Sequence, residues 1–216
     1  MKELRYTLLS DGVSDQRLLP ILTWLLRQHL TDFAIQPTWA ELRRLAERAR
    51  PHNLAQRIQK SVELYPCDLL FVHRDAEMAV RAVRETEILR GLEEARKSTP
   101  IPPAVCVIPV RMQEAWLLFD EPSLRRAAAN PNGRQPLQLP PLNQLEHLPD
   151  PKNDLYELLR EASGFSGRRR KQVRVAQLAY RVADLIEDFA PLRAVPAFKA
   201  LEADIKQIIQ EQDWYS

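Results

Sequence analysis

The chain has 216 residues, and its composition already excludes some classes of protein. Only 5 residues are glycine and 17 are proline, against about 15 and about 11 at average usage. Neither GxGxxG nor GxxxxGK[ST] occurs, which argues against a Rossmann dinucleotide site and a P-loop ATPase. With 45% hydrophobic and 28% charged residues, the chain is typical of a globular protein and too apolar for disorder.

The charge is almost balanced, since 31 basic and 29 acidic residues leave a net charge of +2. Any contact with nucleic acid must therefore come from local clusters of basic side chains. Cys67 and Cys106 lie in apolar strand-like runs, which is typical of buried, reduced thiols in the cytosol. The sequence has no run of about 18 apolar residues and no apolar leader, so we expect a cytoplasmic protein without membrane contact.

Predicted strands and helices alternate through the first part of the chain, which predicts an α/β fold with a parallel sheet flanked by helices. The first strand covers residues 4–9 and ends at Ser10-Asp11-Gly12. A helix follows to about Leu30, with Ser14 as its predicted N-cap. Further strands are predicted over 33–39, 67–72 and 104–110, and further helices over 40–64, from 78 to about 98 and over 112–119.

A cluster of prolines divides the chain. Six of the 17 prolines fall within residues 131–151, which predicts an extended connector. Beyond it, helical patterns cover 153–162, 172–189 and 196–212. We therefore predict a sheet-containing α/β domain over 1–128, a proline-rich connector over 129–151 and a helical C-terminal region over 152–216.

Acidic residues follow three of the predicted strands. Asp11 comes after the first strand, Asp75 and Glu77 after the third, and Glu114 shortly after the fourth. Because α/β sheets bind ligands at the carboxyl ends of their strands, these residues are candidates for one site. Converging carboxylates repel each other, and a hard divalent cation such as Mg²⁺ relieves that repulsion.

Each acidic residue also has a purely structural explanation. An aspartate before glycine, as in Asp11-Gly12, is ordinary turn chemistry. The pair Asp75 and Glu77 suits a helix start, where acidic side chains compensate the helix dipole. Glu114 fits an exposed position on a helix. The occurrence of all four at successive strand ends is what favours a site.

Two segments resemble a known family. The run Leu8-Leu9-Ser10-Asp11-Gly12-Val13-Ser14-Asp15 and the run LLFVHRDAE at 69–77 are similar to the motifs of Toprim domains. These are the Mg²⁺-binding α/β domains of topoisomerases, bacterial primases, small ribonucleases and overcoming-lysogenization-defect nucleases. The runs QEAWLLFD at 113–120 and Asp150-Pro151-Lys152 resemble a bacterial Toprim subfamily often encoded beside ATPases in defence-like loci.

The resemblance implies roles for the acidic residues. The family's first glutamate, a general acid or base, corresponds to Asp11, which is one methylene shorter. Its Asp-x-Asp metal pair corresponds to Asp75 and Glu77, and Glu77 is one methylene longer. These two differences change the reach of the carboxylates, and a site of this kind tolerates only about 0.5 Å of error. Asp11, Asp75, Glu77 and Glu114 are therefore the predicted catalytic and Mg²⁺- or Mn²⁺-binding residues.

Arginines accompany the acidic residues. Arg74 and Arg111 lie close enough in sequence to the same strand ends to bind phosphate oxygens. A second basic cluster, within residues 168–174, favours nucleic-acid binding, with an acidic protein surface as the alternative ligand. It consists of Arg168, Arg169, Arg170, Lys171 and Arg174.

Other chemistries lack their residues. The run His73-Arg74-Asp75 begins like a kinase catalytic loop, but Val80 stands where that loop needs asparagine. The four histidines have no zinc-site spacing, and there is no GxSxG motif or credible cysteine nucleophile.

The predicted function is Mg²⁺-dependent cleavage of DNA or RNA, as the nuclease component of a bacterial defence system with an ATPase partner. The ATPase partner is implied by the resemblance alone. One alternative is a degenerate Toprim scaffold that acts as an interaction module, supported by the altered acidic residues at Asp11 and Glu77. A third hypothesis is an enzyme that acts on another phosphate substrate, such as a nucleotide or a tRNA end.

Overall fold

The protein is an α/β protein built on a four-stranded parallel sheet, as the alternation of strands and helices predicts. The computed structural model describes residues 2–76, 80–110 and 112–214. Within that part of the chain, every helix is too short or too polar to cross a membrane. The strands are β1 (Lys2–Leu9), β2 (Phe33–Trp39), β3 (Leu69–His73) and β4 (Ala104–Val107). The helices are α1 (Leu18–His29), α2 (Leu54–Leu64), α3 (Arg81–Arg96), α4 (Glu121–Ala127), α5 (Pro151–Ala162), α6 (Gly167–Lys171), α7 (Val175–Leu185) and α8 (Pro196–Glu211).

The strands lie in the order β2-β1-β3-β4, and all neighbours are parallel. All five residues of β3 are buried, as expected for a central strand that is covered on both faces. Pro37 stands in β2 opposite Tyr6 of β1. Proline has no N–H to donate, and an edge strand tolerates that loss on its open side.

Helices cover both faces of the sheet. On one face, Tyr6 and Phe71 meet edge to face with ring centroids 5.3 Å apart. The Tyr6 hydroxyl contacts α1, where it donates to the Leu19 carbonyl at 2.9 Å. On the other face, Leu70 and Val72 belong to a buried apolar cluster with residues of α2 and α3. The alternation of side chains along β3 thus supplies both halves of the core.

The chain divides into two compact units. The first contains the sheet and comprises the residues up to Ile108 together with those from Ala200 onward. The second covers Pro109–Lys199. In the second unit α4, α5 and α7 pack against one another, and the rings of Trp116 and Phe198 meet edge to face at 5.5 Å. The predicted connector, 129–151, lies inside the second unit and contains a short 3-10 helix over Leu142–His147.

The first helix does not begin where the sequence predicts. Ser14 is not an N-cap, because residues Val13–Arg17 form a 3-10 turn and α1 starts at Leu18. The Asp15 carboxylate accepts a hydrogen bond from the Gly12 N–H at 2.7 Å, and the Ser14 hydroxyl donates to Asp15 at 3.1 Å. Gly12 is thus the first capping residue of this turn, and the Asp15 carboxylate reaches back to its N–H.

The segment after β4 also differs from the prediction. The strand ends at Val107 rather than at residue 110, because Pro109 has no N–H for a continued ladder. The predicted helix over 112–119 is a 3-10 turn, Gln113–Leu117. An α-helix begins only at α4, where the Asp120 carboxylate accepts from the Ser123 N–H at 3.0 Å.

The predicted helix over 172–189 is shorter in the structure, where α7 runs only from Val175 to Leu185. The basic residues that precede it belong in part to a separate short helix, α6, which ends at Lys171.

Replacing Phe71 by alanine should destabilise the first unit strongly. The ring is fully buried and packs against the Tyr6 ring of β1, so its loss leaves a cavity and costs about 3–5 kcal/mol of unfolding free energy. Urea or guanidinium denaturation measures this. Leu89→Ala, at a half-exposed position of α3, is the control and should change stability by no more than about 0.5 kcal/mol. Similar losses in both variants would contradict the described core.

Asp68→Asn should weaken the fold at neutral pH but not in acid. Arg5 donates hydrogen bonds to the Asp68 carboxylate, and this lowers the pKa of Asp68 below its ordinary value of 3.8. A lowered pKa means that the carboxylate stabilises the folded state above pH 3.8, and that this contribution is lost as the pH falls through the lowered pKa. The pair lies at the surface, so the loss should be small.

Denaturation of the wild type and Asp68→Asn at several pH values tests this. The two stabilities should converge as the pH falls below the ordinary aspartate value. A difference that stays constant into acid would show that the carboxylate charge contributes nothing.

Candidate active site

The order of the strands creates a crevice between β1 and β3. The chain leaves β1 toward β2 on one side, whereas β3 lies on the other side. α/β sheets bind ligands at such a switch point, outside the carboxyl ends of the strands. Asp11 follows the end of β1, and Arg74 and Asp75 follow the end of β3. The topology therefore brings these three predicted site residues to one place.

A cleft of about 240 Å³ opens at this point, and we call it the switch-point cleft. Its lining mixes acids with arginines, and it contains two arginines that the sequence did not predict there, Arg43 and Arg84. The acids are Asp11, Asp15 and Asp75, the arginines are Arg43, Arg74 and Arg84, and His73 lies beside them.

The Asp11 carboxylate contacts two arginines. Arg57 of α2 donates to one of its oxygens through Nη1, and Nε of Arg74 lies 3.1 Å from the other. The Arg57 Nη2 also donates to the Ser10 carbonyl at 2.6 Å. The Asp11 carbonyl accepts from Nη2 of Arg43 at 2.5 Å. Asp11 therefore fixes the directions of three guanidinium groups.

Glu87 of α3 contacts two of the arginines that line the cleft, Arg74 and Arg84. Its Oε1 accepts from Nη1 of Arg74 at 2.8 Å, and its Oε2 accepts from Nη1 of Arg84 at 3.0 Å. Arg74 is thus held between Asp11 and Glu87. An arginine fixed in this way is preorganised to bind a planar or tetrahedral oxyanion.

His73 is a buried histidine between two carboxylates. Only 2% of its side chain is exposed. Because the Val107 carbonyl can only accept, the contact of 2.9 Å to Nδ1 places a proton on that nitrogen. Nε2 therefore faces the carboxylates, 3.5 Å from Oδ1 of Asp75 and 4.0 Å from Oδ2 of Asp15. This nitrogen can accept or release a proton beside Asp75.

The other predicted acidic residues have different positions. Glu77 and Arg111 lie outside the described residues. Glu114 belongs to the second unit, where it is buried in the 3-10 turn Gln113–Leu117.

Sequence reasoning did not assign five residues of this region to the site. They lie between 4 and 73 positions from Asp11 along the chain. Asp15 and His73 stand in the two Toprim-like runs without a site role assigned to them, whereas the three arginines share no motif with Asp11 and only the fold brings them to it. They are Asp15, Arg43, Arg57, His73 and Arg84.

Among residues 2–76, 80–110 and 112–214, no group of three or more histidine, cysteine, aspartate or glutamate side chains is placed to hold a metal ion. Glu77, one of the two predicted metal-pair residues, is outside those ranges. The donor chemistry does suit Mg²⁺, because Asp75 presents a carboxylate to the cleft and 29% of its side chain is exposed. The Mg²⁺ or Mn²⁺ site stays a prediction.

The two cysteines are free thiols, as expected. Burial raises the pKa of Cys67 and raises that of Cys106 to about 12. A thiol with a raised pKa carries little thiolate at neutral pH and is a poor nucleophile. The chemistry of the site must therefore come from its carboxylates, arginines and histidine.

The predicted basic cluster lies in the second unit. Arg168, Arg169, Lys171 and Arg174 are exposed, and none of the four has a carboxylate partner within the described part of the chain. Arg170 differs, because its Nη2 lies 2.7 Å from Oε2 of Glu157. Half of the neighbouring Phe165 side chain is exposed. Exposed cations beside an exposed aromatic ring suit a nucleic-acid surface.

No protein-family model matches the chain, and no curated protein or solved structure is significantly similar to it. The assignment to the Toprim family therefore stays a prediction from the motifs at 8–15 and 69–77.

Proposed function

We propose that the protein cleaves phosphodiester bonds of nucleic acid in a Mg²⁺-dependent reaction at the switch-point cleft. One observation carries the proposal: Asp11 and Asp75, from the ends of neighbouring parallel strands, line one cleft together with Arg43, Arg74 and Arg84. Carboxylates supply metal ligands, and arginines supply partners for phosphate oxygens. Phosphoryl transfer needs both kinds of group.

The metal would be held by Asp75 and Glu77. These oxygen donors are of the kind that Mg²⁺ and Mn²⁺ prefer. When bound, the ion supplies Lewis-acid polarisation of a phosphoryl oxygen.

The arginines bind and orient the phosphate. Arg74 has a carboxylate on each side, from Asp11 and Glu87. Its side chain is therefore already ordered and loses little further conformational entropy when a phosphate binds. Arg84 shares Glu87 with it and approaches the same cleft. Arg111 is a further predicted phosphate ligand.

Two groups are candidates for proton transfer. Asp11 has the acid-base role that the resemblance implies, and a carboxylate with about four acceptor sites keeps room for a proton beside two arginine contacts. His73 is the second candidate, because its Nε2 lies 3.5 Å from Oδ1 of Asp75.

The wider setting of the proposal comes from the resemblance. It suggests a cytoplasmic nuclease component of a bacterial defence system that acts with an ATPase partner protein. The cluster Arg168, Arg169, Arg170, Lys171 and Arg174 would bind the DNA or RNA backbone.

A second candidate function is a degenerate Toprim scaffold that binds a protein or a nucleic acid without cleaving it. The contacts of Asp11 favour this alternative, because both of its oxygens already contact a guanidinium group. The substitutions at Asp11 and Glu77 favour it as well. Calorimetric titration with Mg²⁺ and Mn²⁺ separates the two functions, since a scaffold has no need of the ion.

The cleavage proposal predicts that Asp75→Asn abolishes nicking. The substitution removes a carboxylate charge from the cleft, and we expect the rate to fall at least about 100-fold. The assay incubates supercoiled plasmid, single-stranded DNA and single-stranded RNA with Mg²⁺ and, separately, with EDTA. Asp32→Asn, at an exposed acid in the turn before β2, is the matched control and should cleave like the wild type.

Equal activity of the wild type and Asp75→Asn would exclude the cleft as the active site. The complete absence of Mg²⁺-dependent cleavage of all three substrates would favour the scaffold.

The basic cluster predicts a steep salt dependence of nucleic-acid binding. Each neutralised phosphate contributes about 0.9 to the slope of log K against log salt for duplex DNA and about 0.7 for a single strand. Replacing Arg168, Arg169 and Lys171 together by glutamine should therefore reduce that slope by about 2.7 for duplex DNA and about 2.1 for a single strand. Fluorescence anisotropy over a salt series measures it. Arg96→Gln, an exposed arginine of α3, is the control, and an unchanged slope in the triple variant would exclude this surface.

A further inference from the structure

A second pocket adjoins the switch-point cleft and belongs to no predicted site. We call it the Trp39 pocket; its volume is about 390 Å³, within the range of roughly 300–1,000 Å³ typical of small-ligand sites. It shares Asp11 and Arg43 with the switch-point cleft. The two pockets therefore lie side by side, with these two residues between them.

The lining of the Trp39 pocket is strongly basic. Three arginines, Arg43, Arg50 and Arg57, face a single acid, Asp11. Nη1 of Arg57 contacts the carboxylate of Asp11. Arg43 and Arg50 contact only backbone carbonyls, of Asp11, Leu45 and Arg43, and have no carboxylate partner among the described residues. Such arginines keep most of their N–H donors for an anion.

An aromatic wall accompanies these charges. Trp39 ends β2, and its side chain is partly exposed to the pocket. Its Nε1 donates to the Ser10 hydroxyl at 2.9 Å, which fixes the direction of the indole ring at the start of the loop that carries Asp11. A fixed indole gives a planar base a stacking surface that has already been ordered. Pro51 adds apolar surface to the same pocket.

We propose that the Trp39 pocket binds one unpaired nucleotide of a nucleic-acid strand whose neighbouring phosphate lies in the switch-point cleft. The base stacks on Trp39, and Arg43 and Arg50 contact the adjoining phosphates. This inference rests on the proposed function and specifies its substrate as a strand with an unpaired nucleotide beside the cleavage site. Base pairs in a duplex are stacked within the helix and cannot present a face to the indole.

The test is a binding measurement in EDTA, which separates it from cleavage. Tryptophan fluorescence is titrated with thymidine trinucleotide, with thymidine monophosphate, with a hexaglutamate peptide and with a blunt ten-base-pair duplex. We expect the trinucleotide to quench the wild type, and Trp39→Leu to lose that quenching although Trp24, Trp116 and Trp214 remain. Arg50→Gln should keep the quenching but weaken binding on the order of tenfold, because it removes a phosphate contact. Arg96→Gln is the matched control and should bind like the wild type.

Several results would overturn the proposal. Equal quenching of the wild type and Trp39→Leu would exclude stacking on Trp39. An unchanged affinity in Arg50→Gln would exclude the phosphate contact, and this result stays decisive if Trp39→Leu does not fold. Quenching by the duplex as strong as by the trinucleotide would exclude an unpaired base. Equal affinity for the monophosphate would assign the pocket to a free nucleotide, and equal affinity for the peptide would assign it to an acidic protein.

The two proposals fail separately. If the trinucleotide quenches the fluorescence but the protein cleaves no substrate, the nuclease proposal is excluded and the nucleotide-pocket proposal stands. If the protein cleaves nucleic acid but its Trp39 fluorescence does not respond to the trinucleotide, the nuclease proposal stands and the nucleotide-pocket proposal is excluded.

Discussion

The carboxylate of Asp11 connects three elements of the first unit, because a guanidinium group contacts each of its oxygens. Asp11 itself follows β1, Arg57 comes from α2 and Arg74 follows β3. The ends of two neighbouring strands and a covering helix are therefore tied at one point. The switch-point cleft and the Trp39 pocket both have this aspartate in their walls. Their shapes depend on the same pair of ionic contacts.

This arrangement changes what the acidic residues can do. An acidic crevice would hold metal ions by charge alone, whereas here arginines neutralise part of the carboxylate charge before any ligand arrives. The remaining acids, Asp15 and Asp75, flank the buried His73. A phosphate group meets both signs of charge in such a site: arginines for its oxygens and carboxylates for an accompanying cation.

The sequence predicts the sheet well, because the period and composition of a buried strand are local properties. Asp11 and Asp75 follow such strands, and parallel strands end at the same edge, so their approach was predictable. Arg74 was predicted with them, but Arg57 was not, because it is separated from Asp11 by 46 positions and only the packing of α2 on the sheet joins them. The predicted start of α1 at Ser14 was wrong because the hydrogen bond between the Gly12 N–H and the Asp15 carboxylate starts a 3-10 turn at Val13, and α1 begins only at Leu18. Glu77 and Arg111, outside the described residues, stay predictions.

Pro37 bears on how copies of this chain can meet. Edge strands offer a row of backbone donors and acceptors onto which another strand can add, and this is a common route to unwanted polymers. β2 is an edge of the sheet, and its proline removes one donor from the middle of that row. Further residues of the strand expose polar side chains, Gln36 and Thr38 among them. The strand that ends at Trp39 and contributes this residue to the Trp39 pocket is thus a poor template for sheet extension by a second copy.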